Sequence, residues 1–433
     1  MSKAGFRGGV HPPSFKEATR ASQTVTAPLP ERLFIPMSQH LGAPCAASVS
    51  VGDRVERGQV IGDVDAMVSA PIHSPVAGEV AAIGTQLTPG GQRVPTVEIV
   101  PDEEQDFESF VPVPEADDPR DIVRAAGIVG LGGAAFPSHV KLRPPHDMPI
   151  DTVILNGCEC ESFLTCDDRL MRERPERVVA GARHIKDIVG ASRVVIGIED
   201  NKPEAYQSVS ARAGGDVEVL SLPTAYPQGA EKQLIWTVLG KEVPRGKLPA
   251  ATGALVHNVA TAVAIADAIE HRRPLMERIV TVTGSVERPA NYLALFGTPV
   301  ELLIETSGGL SANVGRVIAG GPMTGAALAD LSVPVVKGTS GVVALESGQT
   351  APAVSDDQPC IRCARCADAC PISLEPFAIG VYANRGDWDG SEVYRALDCI
   401  ECGCCSYVCP TRRPLVQLIR RAKHALMQRG SRP

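Results

Sequence analysis

Nine of the thirteen cysteines lie close together near the C-terminus, and eight of these nine form two runs with the same spacing. The first run extends from Cys360 to Cys370 and the second from Cys399 to Cys409; each reads C-x2-C-x2-C-x3-C-P. Three thiolates at this spacing can bind three irons of a cubane, while the fourth cysteine follows a turn and points away from them. The runs therefore predict two [4Fe–4S] clusters, in a domain over residues 351–433.

The spacing also predicts which cysteines share a cluster, because in two-cluster ferredoxins the fourth cysteine of each run ligates the other cluster. The expected ligands are Cys360, Cys363, Cys366 and Cys409 for one cluster and Cys399, Cys402, Cys405 and Cys370 for the other. Zinc is the alternative, but zinc sites use two C-x2-C pairs rather than two four-cysteine runs that each end in proline. The spare cysteine, Cys404, is expected to pack as a small apolar group.

Length, charge and hydropathy exclude several classes of protein. A chain of 433 residues has room for about three or four domains. Its net charge of −8 argues against a nucleic-acid partner. No apolar run approaches the ~20 residues that span a bilayer, and the first residues lack the apolar core of a signal peptide. We therefore expect a soluble or peripheral cytosolic protein whose clustered cysteines bind metal rather than form a disulfide framework.

The N-terminal part is predicted to be rich in short strands. After a segment at residues 1–30, residues 31–110 contain alternating apolar and polar positions between glycine turns, as in Val51–Ile61. This pattern resembles a lipoyl-like barrel-sandwich hybrid domain. The hairpin tip Asp63–Ser69 has no lysine, so we expect a scaffold without a swinging cofactor arm. Residues 111–120 are expected to be an acidic, proline-containing linker.

Two further folded units are predicted in the middle of the chain. Residues 121–275 alternate strand-like runs with helical stretches, a pattern typical of an α/β domain with a mainly parallel sheet. Residues 276–350 return to strand-like patterning, for which we expect a small β-grasp-like domain, and a polar linker is expected at 351–358. The C-terminal stretch Arg412–Leu426 has apolar residues at helical spacing. It is either a basic docking helix or a helix that closes over the cluster domain.

A glycine-rich loop opens the predicted α/β domain. Its glycines at 130, 132 and 133 let backbone N–H groups approach a phosphate, and Lys141 can supply positive charge. Such a loop is a weak signal by itself, because glycines often only turn the chain and this spacing does not fit G-x-G-x-x-G.

A dense set of polar residues strengthens the prediction of a ligand site. The strand-like run Val153–Leu155 is followed by Asn156, Glu159 and Glu161, and ligands of parallel sheets bind where strands end. The alternative is a solvated loop with a helix cap at Thr165 or Asp167. The three cysteines of this stretch lack cluster spacing and are interpreted as non-ligands: Cys158, Cys160 and Cys166.

Together with four further motifs, these residues make the chain resemble the C subunit of the Rnf (Rsx) electron-transport complex. The motifs are Gly8–Pro13, Tyr226–Gln233, Gly320–Met323 and the paired cysteine runs. That family resembles the NADH-binding flavoprotein subunit of respiratory complex I. The resemblance covers nearly the whole chain and implies a multidomain α/β plus β fold: a barrel sandwich, a Rossmann-like flavin domain, a β-grasp-like domain and a helical, ferredoxin-like two-cluster domain. The implied cofactors are noncovalent FMN and two [4Fe–4S] clusters, with NAD(H) as substrate.

The resemblance to the complex I flavoprotein also implies roles for single residues. The positions that match flavin contacts are Gly130, Gly132, Gly133, Lys141, Asn156, Glu159, Glu231 and Asn258. Glu161 matches an acidic residue near the nicotinamide nucleotide. The chain departs from the complex I pattern at four positions that affect the nucleotide pocket: Ala135, Cys158, Ser162 and His257. No catalytic residue is assigned, because a flavin accepts hydride without a protein acid or base.

The expected function follows from the cofactors. A nicotinamide transfers an electron pair, a cluster accepts single electrons, and a flavin can connect the two. The resemblance implies a peripheral subunit of a ferredoxin:NAD oxidoreductase that translocates ions, on the cytoplasmic face of a bacterial inner membrane. Its implied partners are the other Rnf subunits, with ferredoxin as terminal redox partner. The alternatives are a soluble flavin iron–sulfur reductase, such as cobalamin reductase, and a relay module with two clusters and no flavin.

Overall fold

The computed structural model describes residues 5–348 and 359–430, so the linker predicted at 351–358 lies outside the described residues. The N-terminal segment contains a short helix, α1 (Glu17–Arg20), and a short strand, β1 (Val25–Thr26). Neither element joins the two sheets that follow in the sequence.

Two small antiparallel sheets come next, as the alternating pattern predicts. Their strands are β2 (Leu33–Pro36), β3 (Ala46–Ala47), β4 (Arg54–Val55), β5 (Val60–Asp63), β6 (Ile72–His73), β7 (Gly78–Leu87) and β8 (Arg93–Pro101). The strand orders are β2-β8-β7-β4 and β3-β5-β6. Leu33, Ile61 and Val97 are fully buried in one cluster between them. The turn between β5 and β6 exposes Met67 and has no lysine to which a cofactor could be attached.

A four-stranded parallel sheet forms the next unit, as predicted. Its strands are β9 (Thr152–Gly157), β10 (Arg193–Glu199), β11 (Glu218–Leu222) and β12 (Ala254–Asn258), in the order β11-β10-β9-β12. Its helices are α2 (Pro119–Ala125), α3 (Ser138–Lys141), α4 (Cys166–Glu173), α5 (Pro175–Val189), α6 (Pro203–Ala213), α7 (Glu231–Leu239) and α8 (Val259–His271), with a 3-10 turn at Pro249–Thr252. Because β9 pairs in parallel with both β10 and β12, the carboxyl ends of these strands meet at one edge.

A mixed six-stranded sheet follows. It contains β13 (Glu277–Gly284), β14 (Ala290–Leu295), β15 (Val314–Ala319), β16 (Ala326–Ala327) and β17 (Gly341–Glu346), and helix α9 (Val300–Thr306) lies beside it. The sixth strand is β1, which pairs in parallel with β14. The N-terminal segment therefore contributes to this sheet, and the side chain of Asn291 on β14 donates to the Thr19 carbonyl at 3.1 Å.

The C-terminal region is helical. Its helices are α10 (Arg365–Asp368), α11 (Pro376–Asn384), α12 (Trp388–Val393), α13 (Cys404–Tyr407) and α14 (Leu415–Gly430), with a 3-10 turn at Ala396–Asp398. Leu415, Ile419 and Ala422 of α14 are buried in the core of this region. The structure therefore favours the helix that closes over the cluster domain rather than the docking helix. Within residues 5–348 and 359–430, no helix is long and apolar enough to cross a membrane.

Candidate functional site

The two cysteine runs share one backbone geometry. Left-handed residues occupy matching positions of the runs, namely Arg362, Ala364 and Ser373 in the first and Glu401, Gly403 and Arg412 in the second. Backbone N–H groups also point at sulfur in both runs. Arg362 N–H donates to Cys360 Sγ at 3.4 Å, and Glu401 N–H donates to Cys399 Sγ at 3.3 Å. Residues other than glycine rarely adopt positive φ, so chance would seldom place such residues at matching positions of both runs. The two cysteine runs therefore repeat in backbone conformation as well as in sequence.

The last cysteine of the first run lies with the first three ligands of the second run. Cys370, Cys399, Cys402 and Cys405 line one small cavity together with the spare Cys404, and we call the first four the inner cysteine site. It is the ligand set predicted for one of the two clusters. Burial raises the pKa of the Cys399 thiol to about 11, so metal binding at this site must release protons.

We call the set of the other four predicted ligands the outer cysteine site: Cys360, Cys363, Cys366 and Cys409. Cys363 is exposed, and Cys360 and Cys409 are partly buried, so this site reaches the protein surface. The spare Cys404 is fully buried in an apolar cluster with Val10 and Tyr226.

A cavity of about 630 Å³ opens where the strands of the parallel sheet end. It is lined by six of the nine residues predicted to bind flavin or nicotinamide: Gly132, Gly133, Asn156, Glu159, Glu161 and Asn258. Further wall residues come from the mixed sheet between Ala319 and Ala326. The volume lies in the range of small-molecule and cofactor sites.

The remaining three predicted residues do not line this cavity. Gly130 N–H donates to the Phe136 carbonyl at 2.9 Å and closes the base of the glycine-rich loop. Lys141 Nζ donates to Glu231 Oε1 at 2.6 Å, and both residues line a separate cavity of about 930 Å³. No sequence pattern indicated this ion pair, because the two residues are far apart in the chain.

Glu159 supplies the cap of helix α4. Its carboxylate accepts hydrogen bonds from the backbone N–H groups of Asp167 at 2.7 Å and Asp168 at 3.3 Å. Thr165 occupies the N-cap position without capping, because its hydroxyl donates to Asn291 Oδ1 at 3.0 Å instead. Residues from Ser162 to Met171 are buried, so the alternative of a solvated loop with a cap at Thr165 or Asp167 is wrong.

Asp167 is a buried acid on the cavity wall, where the sequence suggested only a cap. Asn258 Nδ2 donates to Asp167 Oδ2 at 2.6 Å, while Asn258 Oδ1 accepts from Ala260 N–H at 2.8 Å and caps α8. The ligating atoms of Glu159, Cys166 and Asp167 lie within 4.8 Å of one another. Burial, together with the charge of Glu159, raises the pKa of Asp167 to about 6.

This raised pKa predicts that Asp167→Asn changes how stability depends on pH. The pKa of Asp167 is raised from 3.8 to about 6 in the folded protein, so the acid stabilises the fold when protonated, and this contribution is lost as the pH rises through about 6. Asparagine does not ionise in this range. The stability of the variant minus that of the parent protein should therefore be larger at about pH 7 than at about pH 4. Thermal unfolding of both proteins at both pH values measures this difference. If the difference in stability between variant and parent were the same at both pH values, this would contradict the raised pKa of Asp167.

Glu161 connects the polar loop to the mixed sheet. Its carboxylate accepts hydrogen bonds from the backbone N–H groups of Met323 at 3.0 Å and Thr324 at 2.9 Å. A Cβ on Gly321 would lie 2.3 Å from Glu161 Oε2, so a larger residue there would displace this carboxylate. Burial raises the pKa of Glu161. The Gly320–Met323 motif is thus held against the cavity by an acid that the resemblance places near the nicotinamide.

Residues of the helical region complete the cavity, and the sequence did not indicate them. Ile400 and Glu401, which lie between Cys399 and Cys402, both line it. Nearby, Tyr226 Oη donates to the Cys402 carbonyl at 2.7 Å. The cavity and the inner cysteine site therefore share a loop.

Four family models match consecutive parts of the chain. They describe an RnfC barrel sandwich hybrid domain at residues 4–104, a Nuo51 FMN-binding domain at 123–267, an SLBB domain at 279–327 and a 4Fe-4S dicluster domain at 352–410. The cavity residues that follow β9 and β12 belong to the second, and all eight predicted cluster ligands to the fourth. The matches confirm the predicted cofactors and the order of the main parts, while the domain boundaries stay predictions.

A solved structure shares the fold. An NAD+-reducing [NiFe]-hydrogenase in the H2-reduced state superposes with a TM-score of 0.51 at 20% identity, over 72% of this chain and 63% of that chain. At this identity the match concerns the fold alone.

Closer relatives align along the whole chain. The C subunit of the proton-translocating ferredoxin:NAD(+) oxidoreductase complex of Clostridium ljungdahlii is 42% identical, over 99% of this chain and 95% of the relative. The C subunit of the Na(+)-translocating complex of Acetobacterium woodii is 43% identical, over 98% and 97%. The C subunit of the ion-translocating oxidoreductase complex of Rhodobacter capsulatus is 42% identical, over 100% and 85%. These matches confirm the resemblance found in the sequence: the chain belongs to the family of C subunits of the ion-translocating ferredoxin:NAD(+) oxidoreductase (Rnf) complexes.

Proposed function

We propose that the chain passes electrons between NAD(H), FMN and two [4Fe–4S] clusters, as the C subunit of a membrane-bound, ion-translocating ferredoxin:NAD oxidoreductase complex. One observation carries the proposal: the glycine-rich loop and the loop between Cys399 and Cys402 line the same cavity. FMN, when bound, can take up an electron pair from a nicotinamide and deliver single electrons to clusters. The relative from a proton-translocating complex and the one from an Na⁺-translocating complex are similarly close, at 42% and 43% identity. We therefore propose the same electron path whichever ion is translocated.

The cavity residues fit a flavin nucleotide. No heavy atom beyond its chain neighbours lies within 4 Å of a Cβ placed on Gly133, so the backbone there faces open space. At Gly132 the loop lies so close to Asn258 that a Cβ would be 2.6 Å from Asn258 Nδ2. We assign FMN binding to these three residues together with Asn156 and Glu159, and a position beside the nicotinamide to Glu161.

Three further flavin contacts remain predictions from the resemblance: Gly130, Lys141 and Glu231. Lys141 uses one of its three N–H donors for Glu231, at 2.6 Å, so the same ammonium has donors left for a phosphate.

The cysteine sites fit two clusters, and their positions suggest an order of electron transfer. Soft thiolate ligands in sets of four suit iron–sulfur clusters. The inner cysteine site shares the Ile400–Glu401 loop with the cavity, whereas the outer cysteine site exposes Cys363. We therefore place the inner cluster next to the flavin and the outer cluster at the exit, where a redox partner can approach.

The contacts of Glu161 predict that its replacement weakens nicotinamide binding without affecting FMN binding. Glu161→Ala removes the acceptor for two backbone N–H groups and frees the Gly320–Met323 segment from the cavity wall. We expect NADH to bind about 10- to 100-fold more weakly, because hydrogen bonds to a charged group contribute about 1.5–3 kcal/mol, while FMN stays bound. Titration of the FMN-loaded protein with NADH measures this.

Thr324→Val is the matched control for Glu161→Ala. It removes only the hydroxyl bond from Thr324 to Glu161 and leaves both backbone N–H donors in place, so we expect a smaller loss of NADH affinity. Equal losses in the two variants would argue against a role of the carboxylate itself.

The proposal is tested by anaerobic purification, reconstitution with iron, sulfide and FMN, and titration with NADH followed by optical and EPR spectroscopy. We expect about eight irons and one FMN per chain, with bleaching of the flavin absorbance by NADH. If the clusters form but FMN does not bind and NADH changes nothing, the relay-module alternative replaces the proposal. Full activity without any membrane partner would instead favour the soluble reductase.

Assembly and location are part of the same proposal. We propose that the other Rnf subunits and, at the end of the path, ferredoxin are the partners, and that the protein is peripheral on the cytoplasmic face of a bacterial inner membrane. The similarity to the three C subunits over at least 85% of their length supports this. The finer fold assignments belong here as well: lipoyl-like at 31–110, Rossmann-like at 121–275, β-grasp-like at 276–350 and ferredoxin-like at 351–433.

A further inference from the structure

The N-terminal segment packs against the polar loop that lines the cavity. Ser162 Oγ donates to the Pro13 carbonyl at 2.7 Å, and the rings of Phe15 and Phe163 stack with their centroids 4.7 Å apart. The segment lies outside the residues that match the FMN-binding domain. It nevertheless supports the loop Glu159–Thr165.

Lys16 lies buried in this contact. Its Nζ donates to the backbone carbonyls of Glu159 and Glu161, both at 2.9 Å, and to that of Leu164. Burial lowers the pKa of Lys16, but three acceptors require three N–H donors, and only the charged ammonium has three. A carboxylate oxygen of Glu159 lies 3.9 Å from the same nitrogen. The structure thus holds a charged lysine beneath the loop.

The conformation of the loop depends on this lysine. Glu159 adopts a left-handed conformation with φ of 44°, which costs free energy in a residue other than glycine. Gathering three carbonyl oxygens around one ammonium stabilises that conformation, because a charged donor forms stronger hydrogen bonds than a neutral one. The side chains of Glu159 and Glu161 then reach the cavity wall.

We infer that Lys16 is a positioning residue of the flavin site, which holds the Glu159–Leu164 loop in shape and places a positive charge behind the cavity. This inference rests on the proposed function. A positive charge in a poorly screened site attracts the electron-rich reduced flavin more than the oxidised one. Lys16 should therefore raise both the affinity for FMN and its reduction potential.

The test compares Lys16→Met with Thr19→Val in the reconstituted full chain. Thr19 makes a buried hydroxyl contact with Thr165 at 2.7 Å, so its replacement disturbs the same interface without removing a charge. The readouts are the dissociation constant of FMN, from quenching of its fluorescence, and the midpoint potential of the bound flavin, from spectroelectrochemistry. Thermal unfolding checks that each variant folds.

We expect Lys16→Met to weaken binding of oxidised FMN at least tenfold. Binding of reduced FMN should be weakened ten times more than that of oxidised FMN. For a two-electron couple this additional factor of ten corresponds to a fall of about 30 mV in midpoint potential. Thr19→Val should leave the potential unchanged and weaken binding less.

An unchanged potential in Lys16→Met, or the same fall in both variants, overturns the inference. If Lys16→Met does not fold, Lys16→Arg decides. A midpoint potential in Lys16→Arg equal to that of the parent chain then supports a role of the charge, and a fall in this potential overturns the inference. Failure of the parent chain itself to bind FMN overturns the proposed function, and this inference with it, so the two failures are distinguishable.

Discussion

Replacing Cys370 with serine is expected to remove the same cluster as replacing Cys402 with serine, although Cys370 belongs to the other run of the sequence. Both cysteines line the inner cysteine site together with Cys399 and Cys405. Loss of one of its four thiolate ligands should destabilise a [4Fe–4S] cluster, so either change should lower the iron content from about eight to about four per chain. Cys409→Ser should instead remove the outer cluster.

Iron analysis and EPR of the reduced proteins distinguish the two ligand sets. Cys370→Ser and Cys402→Ser should lose one common signal, and Cys409→Ser should lose the other. The matched control is Cys404→Ala. Cys404 lines the same small cavity but packs in an apolar cluster and is not a predicted ligand, so this variant should keep both signals. Loss of the outer signal in Cys370→Ser would show that each run binds its own cluster.

The inner and outer variants should also differ in their kinetics. In Cys402→Ser, NADH should still bleach the flavin, but electrons should not reach the outer cluster, because the inner cysteine site shares the Ile400–Glu401 loop with the cavity. In Cys409→Ser, electrons should reach the inner cluster and stop there. Rapid-mixing experiments with NADH would follow each step, and reduction of the outer cluster in Cys402→Ser would contradict the proposed order.

Gly132→Val is expected to weaken FMN binding by about 10- to 100-fold. Even a Cβ at this position would lie 2.6 Å from Asn258 Nδ2, and overpacking of this kind costs about 1–3 kcal/mol. The displaced Asn258 would lose its bonds to Asp167 and to the first turn of α8. Fluorescence titration with FMN measures the affinity, and the iron content should stay at about eight per chain.

Gly215→Val provides the control for this change. No heavy atom beyond its chain neighbours lies within 4 Å of a Cβ at Gly215, so we expect near-normal FMN binding and stability. Unchanged FMN affinity in Gly132→Val would mean that the flavin does not use the glycine-rich loop, and the relay-module alternative would gain support.

Local patterns in the sequence were enough to predict the two-cluster domain, the main parts of the fold and much of the cavity, while the individual cluster ligands stay predictions. The cysteine runs predict their chemistry because the spacing within each run is itself the pattern that [4Fe–4S] clusters require, whatever surrounds it. The alternating and helical patterns predict their sheets and helices because each period places apolar residues on one buried face. The glycine-rich loop and the residues after β9 could be assigned to one site because parallel strands end at a common edge.

Which distant segments complete the site depends on how the domains pack. Glu159 rather than Thr165 caps α4, because the Thr165 hydroxyl binds Asn291 in another domain, 126 positions away. Lys141 pairs with Glu231, and Ile400 and Glu401 reach the cavity from the helical region. Lys16 reaches the polar loop across 143 positions of sequence. Such contacts leave no periodic pattern in the sequence, because they form only when separately folded parts come together.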